Sequence, residues 1–147
     1  MMTAALITVA FITGTMRSGG LDGAFLLSVH AVAHAAQPSD AVLQEQADAL
    51  MKNAEEMVAH GGMGDAKAIL HHCGEASRHA EALLAQIPSS NPHRSQAAVS
   101  LNEVIAQCKR VSDLGPHADP GRLLNPAIKA RTAARESVKS LGLNPKS

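Results

Sequence analysis

Histidine and cysteine are the residues of this chain whose side chains could do chemistry, eight of the former and two of the latter among 147 residues. His72, Glu75 and His79 are spaced three and four residues apart, so at about 100° per residue they share one stripe of a helix. Two imidazoles with a carboxylate between them suit Cu(II), Ni(II) or Zn(II). His71 lies four residues before Glu75 and could join them. The stripe indicates a metal site, and the alternative is a solvated polar flank in which histidine alternates with charge.

A second pair of histidines depends on the order of the helices. His60 and His117 fall in two turn regions that lie at the same end of a bundle whose helices alternate in direction, with Asp65, Asp113 and Asp119 in the same turns. We expect at most a weaker second metal site there, since two loops would have to be ordered to form it. The alternative is two loop histidines that do not meet.

The two cysteines, Cys73 and Cys108, both fall on the apolar face of a predicted helix. Cys73 lies about fourteen residues before Ile87, and Cys108 lies about fifteen residues after His93. At about 1.5 Å of rise per residue, they sit at nearly the same height on adjacent antiparallel helices. In an oxidising compartment this placement predicts a disulfide. Two buried thiols, or a thiolate metal site that includes His72, are the alternatives.

Several classes of function lack the residues that they need. The only aromatic side chains are Phe11 and Phe25, and the formal net charge is +0, so neither base stacking nor a basic surface for nucleic acid is available. No G-x-G-x-x-G, Walker A, G-x-S-x-G or C-x-x-C-H segment occurs. We therefore expect neither an enzyme, nor a haem protein, nor a nucleic-acid partner.

The first 36 residues are typical of a secretory signal peptide. Two apolar runs, 4–12 and 24–32, are each near ten residues, well short of the ~20 that a membrane-spanning helix needs. Arg17 precedes the second run, and small residues up to Ala36 follow it. We expect translation from Met1 or Met16, export to the periplasm, cleavage near Ala36 and no membrane span afterwards. The alternatives are a loosely packed N-terminal helix or an uncleaved anchor. Cleavage would remove His30 and His34.

The rest of the chain predicts an all-α protein. Apolar residues recur at three- and four-residue spacing, which is one face of a helix, and nothing after Pro38 has the alternation of a strand. Capping residues, glycines and prolines give the boundaries. The predicted helices run from about residue 40 to 60, 65 to 86, 92 to 114 and 125 to 141, the last being the shortest. Short connections favour an up-down-up-down four-helix bundle as a single domain over residues 37–147.

Two sequence phrases on the first predicted hairpin carry a resemblance to a known family. They are A-E-E-M-V-A-H-G, which ends at Gly61, and H-H-C-G-E-A-S-R-H-A, which starts at His71. In both phrases the chain resembles the small metal-binding proteins of bacterial periplasms. The resemblance implies a four-helix bundle that binds copper, nickel and zinc through His60, His72 and His79. The second hairpin differs from that pattern, with other residues where the family has histidines: Gln107, Lys109, Lys129 and Arg135.

The expected function is therefore a non-catalytic periplasmic protein that buffers, scavenges or carries divalent Cu, Ni or Zn. Its partners would be the metal ions, and its candidate ligands are His60, His71, His72, Glu75, His79 and His117. The alternative is a disulfide-stapled helical interaction protein, or an accessory subunit, with no role in metal binding.

Overall fold

The structure, a computed structural model, describes residues 40–145. The predicted signal peptide and its cleavage site lie outside the described residues. Within them the chain forms four helices and no strand: α1 (Asp40–Gly62), α2 (Ala66–Gln86), α3 (Arg94–Leu114) and α4 (Pro120–Ser140).

The four helices pack in the order in which they follow one another along the chain. α1 packs against α2 and α4, and α3 packs against the same two helices, so α1 and α3 occupy opposite corners. Connections of three to seven residues between consecutive helices force each helix to run antiparallel to the one before it. The predicted up-down-up-down four-helix bundle is confirmed.

The core is built from the apolar face of each helix. It consists of aliphatic and small side chains with no aromatic ring, so the helices pack through leucine, isoleucine, valine, methionine and many alanines. Cys73 and Cys108 are 2% and 4% exposed, as their positions on the apolar faces predicted. The largest of the fully buried apolar side chains are Leu50, Met57, Ile69, Leu83, Leu101 and Leu123.

The start of α2 agrees with the prediction, whereas that of α3 differs by two residues. Asp65 caps α2, its carboxylate accepting a hydrogen bond from the backbone N–H of Ala68 at 3.0 Å. The prediction that Pro92 is the first residue of α3 is wrong. Asn91 accepts a hydrogen bond from the backbone N–H of His93 at 2.8 Å, which closes a turn before the helix begins at Arg94. Asn91 therefore stabilises a turn rather than a helix end.

The predicted start of α4 at Asn125-Pro126 is also wrong, as is its predicted short length. The helix begins at Pro120, Asp119 accepts a hydrogen bond from the backbone N–H of Gly121, and Pro126 lies inside the helix. The sequence offers two acceptor-plus-proline starts, and proline at the first helical position would lose no hydrogen bond in either. The structure uses the earlier one, and the second proline lies inside the helix. α4 therefore has 21 residues, as many as α2 and α3.

Ion pairs also link the two hairpins, between α1 and α4. Glu55 on α1 accepts hydrogen bonds from Arg135 Nε at 2.9 Å and from Arg131 Nη1 at 3.4 Å, both on α4. The first hairpin is rich in acidic residues and the second in basic ones, so this contact follows from the composition of the two halves. No helix within residues 40–145 is long and apolar enough to cross a membrane.

Candidate metal centre

His72 lies in the interface between α1 and α2 with its ring held by two side chains of α1. Its side chain is 15% exposed, and its Nδ1 is 3.0 Å from Asn53 Oδ1 and 3.2 Å from Glu56 Oε2. Asn53 Nδ2 donates to the carbonyl of Ala49 at 2.9 Å, so the amide oxygen is the atom that faces His72. That oxygen only accepts, so Nδ1 of the neutral ring carries the proton and Nε2 keeps its lone pair.

This arrangement is the one that metal-binding histidines commonly have. A histidine ligand usually donates its other ring N–H to a carboxylate or carbonyl oxygen, which fixes the tautomer and the orientation of the ring. Asn53 and Glu56 provide such oxygens to His72. Nε2, which keeps its lone pair, is therefore the atom of His72 that is suited to bind a metal ion.

Two further imidazoles contact His72. His60, in the last turn of α1, stacks on it with ring centroids 5.2 Å apart and an angle of 15° between the ring planes. His71 meets it edge-on, with centroids 5.0 Å apart and an angle of 63°. His71 is exposed and His60 is half-buried, so both rings have room to turn. The result is a cluster of His60, His71 and His72, called the histidine cluster below, backed by Asn53 and Glu56.

The pKa of His72 is lowered from its ordinary value of 6.5. Burial is the largest cause, because it removes water from the charged form, and the neighbouring His71, His60 and Lys52 act in the same direction. Glu56 opposes the shift without reversing it. His72 is therefore neutral at neutral pH, which is the form that coordinates a metal.

The structure does not bring His72, Glu75 and His79 into one site. Glu75 forms an ion pair with Arg78, and this hydrogen bond is the main reason why the pKa of Glu75 is lowered. His79 Nδ1 lies 2.9 Å from Gln46 Oε1 on α1. His72 and His79 share a stripe but are separated along the axis by about 10 Å, which is two helical turns. Within residues 40–145 no three His, Cys, Asp or Glu side chains are arranged to hold a metal ion.

His60 contacts His72 rather than His117, the partner predicted from the sequence. α1 extends to Gly62, so His60 belongs to a helix rather than to a loop, and its ring stacks on His72. His117 is exposed in the connection between α3 and α4.

Asn53 and Glu56 were not among the candidate residues from the sequence. A signal for them exists, because Asn53, Glu56 and His60 are spaced three and four residues apart and so share one stripe of α1. The stripe flanks the buried face of α1, and side chains in that position can contact a neighbouring helix. Which neighbour it faces could not be read from the spacing.

Cys73 and Cys108 lie close together between α2 and α3 as two buried thiols. A hydrogen bond with Cys108, which holds the proton on the Cys73 thiol, is the first cause of a strongly raised pKa at Cys73, and burial is the second. The contacts of His72 with Asn53, Glu56 and His60 are made on α1, whereas the partner of Cys73 is on α3. This separation favours a disulfide or a thiol pair over a thiolate metal site that includes His72.

The metal-free protein is expected to lose stability as the pH falls below about 6.5, the ordinary histidine pKa. Burial lowers the pKa of His79, as it does for His72, so the unfolded chain takes up these protons first. Above that pH both states are neutral and the two histidines contribute nothing. Urea unfolding followed by circular dichroism, between about pH 5.5 and 7.5, measures the slope.

The variant His79→Gln should flatten that slope, because glutamine does not titrate and can still reach Gln46 across the interface. His93→Gln, at an exposed position before α3, is the matched control and should leave the slope as it is in the parent. If the slope in His79→Gln were the same as in the parent, the lowered pKa of His79 would not be a cause of the pH dependence of stability.

Comparison with protein-family models, with curated protein sequences and with solved structures finds no significant match. The resemblance to the periplasmic small metal-binding proteins therefore stays a prediction from two sequence phrases. A function for this chain has to be inferred from the histidine cluster and from the paired thiols.

Proposed function

We propose that this chain is a non-catalytic protein that binds Cu(II), Ni(II) or Zn(II) at the histidine cluster. The observation that carries the proposal is the contact of His60, His71 and His72, with the Nδ1–H of His72 held by Asn53 and Glu56. Imidazole nitrogen suits all three metals, and the affinity of a given nitrogen site is expected to be highest for copper.

Binding requires the rings of His60 and His71 to turn. In the structure the rings of His60 and His72 are nearly parallel, so their lone pairs do not point at a common centre. His72 is held in place by α1 and acts as the fixed ligand, while the more exposed His60 and His71 move to it. Two or three protein ligands leave positions for water, which favours exchange of the ion and suits a buffer or carrier.

We also propose that the protein is exported, with residues 1–36 as its signal peptide. The support is the apolar run 24–32 followed by small residues up to Ala36. The closeness of Cys73 and Cys108 agrees with an oxidising compartment, in which such a pair forms a disulfide.

The double variant His60→Ala/His72→Ala is expected to bind Cu(II) at least about ten-fold more weakly than the parent, since two ligands are lost. Isothermal titration calorimetry of the cleaved, tag-free protein at neutral pH measures the affinity for Cu(II), Ni(II) and Zn(II). Glu56→Gln should weaken binding without abolishing it, because the amide still accepts a hydrogen bond from His72 but carries no charge.

His79→Ala/His117→Ala is the matched control, since it removes two histidines outside the cluster. It should bind as the parent does, and circular dichroism should show the same helicity in all variants. Loss of binding in this control, with binding retained in His60→Ala/His72→Ala, would contradict the proposed site.

The paired thiols favour a second candidate function, a disulfide-stapled helical interaction protein. The support is the burial of Cys73 and Cys108 between α2 and α3, where a covalent bond would join the two hairpins. If the parent bound none of the three metals in the micromolar range, the disulfide-stapled interaction protein would become the favoured function.

A further inference from the structure

A groove between α3 and α4 is lined by basic side chains, on the hairpin that does not carry the histidine cluster. Its volume is about 360 Å³, which is within the range of sites for small molecules. Arg110 of α3 and Arg122 and Lys129 of α4 line it, all three exposed to solvent. Three cations on facing helices attract an anion.

The one carboxylate among the described lining residues is already engaged. Both oxygens of Asp113 accept hydrogen bonds from Lys109 Nζ, each at 2.8 Å. This i, i+4 pair neutralises Asp113 from outside the groove, because Lys109 is not among the residues that line it. The groove therefore keeps the positive charge of Arg110, Arg122 and Lys129.

Gln107 forms part of the groove and is only 3% exposed. Its Nε2 donates to Glu103 Oε1 at 2.6 Å, which fixes the orientation of the amide. Its Oε1 is buried and has no hydrogen-bond partner within the described part of the chain. A buried amide oxygen is normally paired, so this atom calls for a donor that the protein does not supply.

Apolar carbon completes the lining of the groove. Arg122 and Pro126 both line the groove, as does the half-buried Leu114. The walls thus combine cations, the unpaired amide oxygen of Gln107 and apolar carbon.

We propose that this groove binds a small organic anion that carries a hydroxyl or ammonium group beside its carboxylate. The carboxylate would lie between Arg110, Arg122 and Lys129. With a shift of the side chains that cover it, the buried Gln107 Oε1 would accept a hydrogen bond from the hydroxyl or ammonium. Leu114 and Pro126 would cover the carbon skeleton, which an inorganic anion lacks. This proposal is independent of the metal site, because none of its residues lies on α1 or α2.

L-malate and succinate are the probes, since they differ by one hydroxyl. Titrated into the metal-free protein, malate is expected to bind roughly 3- to 10-fold more tightly than succinate, the contribution of one hydrogen bond. Nuclear magnetic resonance follows the titration through the side-chain amide signal of Gln107. Gln107→Met, which keeps the volume but removes the acceptor, should bring malate to the affinity of succinate and leave succinate unchanged.

Two matched controls and a second pair of variants complete the test. Gln96→Met and Arg94→Gln change the same residue types on exposed positions of α3 outside the groove, and should have no effect. Arg110 and Lys129 are exposed, so Arg110→Gln and Lys129→Gln should fold, and each should weaken the binding of both anions by roughly 2- to 5-fold. Equal affinity for malate and succinate in the parent, or no loss of affinity in Arg110→Gln and Lys129→Gln, would overturn the proposal.

Discussion

Oxidation of Cys73 and Cys108 to a disulfide is expected to raise the free energy of unfolding by about 3–4 kcal/mol. The bond would close a loop that contains all of the connection between the hairpins, and in the chain-entropy model a loop of this size restricts the unfolded chain by that amount. The thiols are already close and buried, so little rearrangement of α2 and α3 is needed. Urea unfolding with and without a reductant measures the difference.

If they remain reduced, Cys73 and Cys108 should react only slowly with alkylating reagents as long as the protein is folded. The hydrogen bond with Cys108 and burial raise the pKa of Cys73, and the thiolate is the form that reacts. Cys73→Ala is the control, and its stability should not depend on the reductant. If the protein is exported as proposed, the bond is tested by alkylating freshly isolated protein after denaturation without reductant. Two alkylated thiols, detected by mass spectrometry, would contradict the bond.

Leu101→Ala is expected to lower the free energy of unfolding by about 2–5 kcal/mol. Leu101 is fully buried on α3, and its loss leaves a cavity that the surrounding helices fill only in part. A domain of this size has a stability of about 5–15 kcal/mol, so this single change removes a large share of it. The midpoint of urea unfolding should fall accordingly.

Val99→Ala is the matched control on the same helix. Val99 is 72% exposed, so truncating it removes little buried surface and should change the stability by less than about 0.5 kcal/mol. Equal losses in the two variants would show that α3 does not pack through the face that contains Leu101.

The sequence was sufficient for the bundle, because the three- and four-residue spacing of apolar residues indicates both the helices and their buried faces. It failed where two local signals compete. Asp119-Pro120 and Asn125-Pro126 both have the pattern of a helix start, and only the packing of α4 along its whole length decides between them. The second proline then remains inside the helix, where local propensity alone would not place it.

The candidate site could be predicted only in part, for a different reason. The position of His72 on α2 indicates that it flanks the core, but not which helix it faces. Its partner Asn53 is 19 residues away in the sequence and on another helix. His79 has the same position two turns later and meets Gln46 instead, so residues with equivalent spacing on α2 acquire different neighbours. Only the assembled α1–α2 pair separates a histidine in the cluster from a histidine outside it.

The lack of Phe, Trp and Tyr in the part of the chain that the structure describes has an optical consequence. Phe11 and Phe25 both precede residue 37, and the chain has no tryptophan or tyrosine. If residues 1–36 are removed as proposed, the remaining protein would be almost transparent in the near ultraviolet, with a disulfide as its own main chromophore there. Any visible colour of the isolated protein would come from a bound ion. Copper would give such a colour, whereas zinc, with its filled d shell, would not.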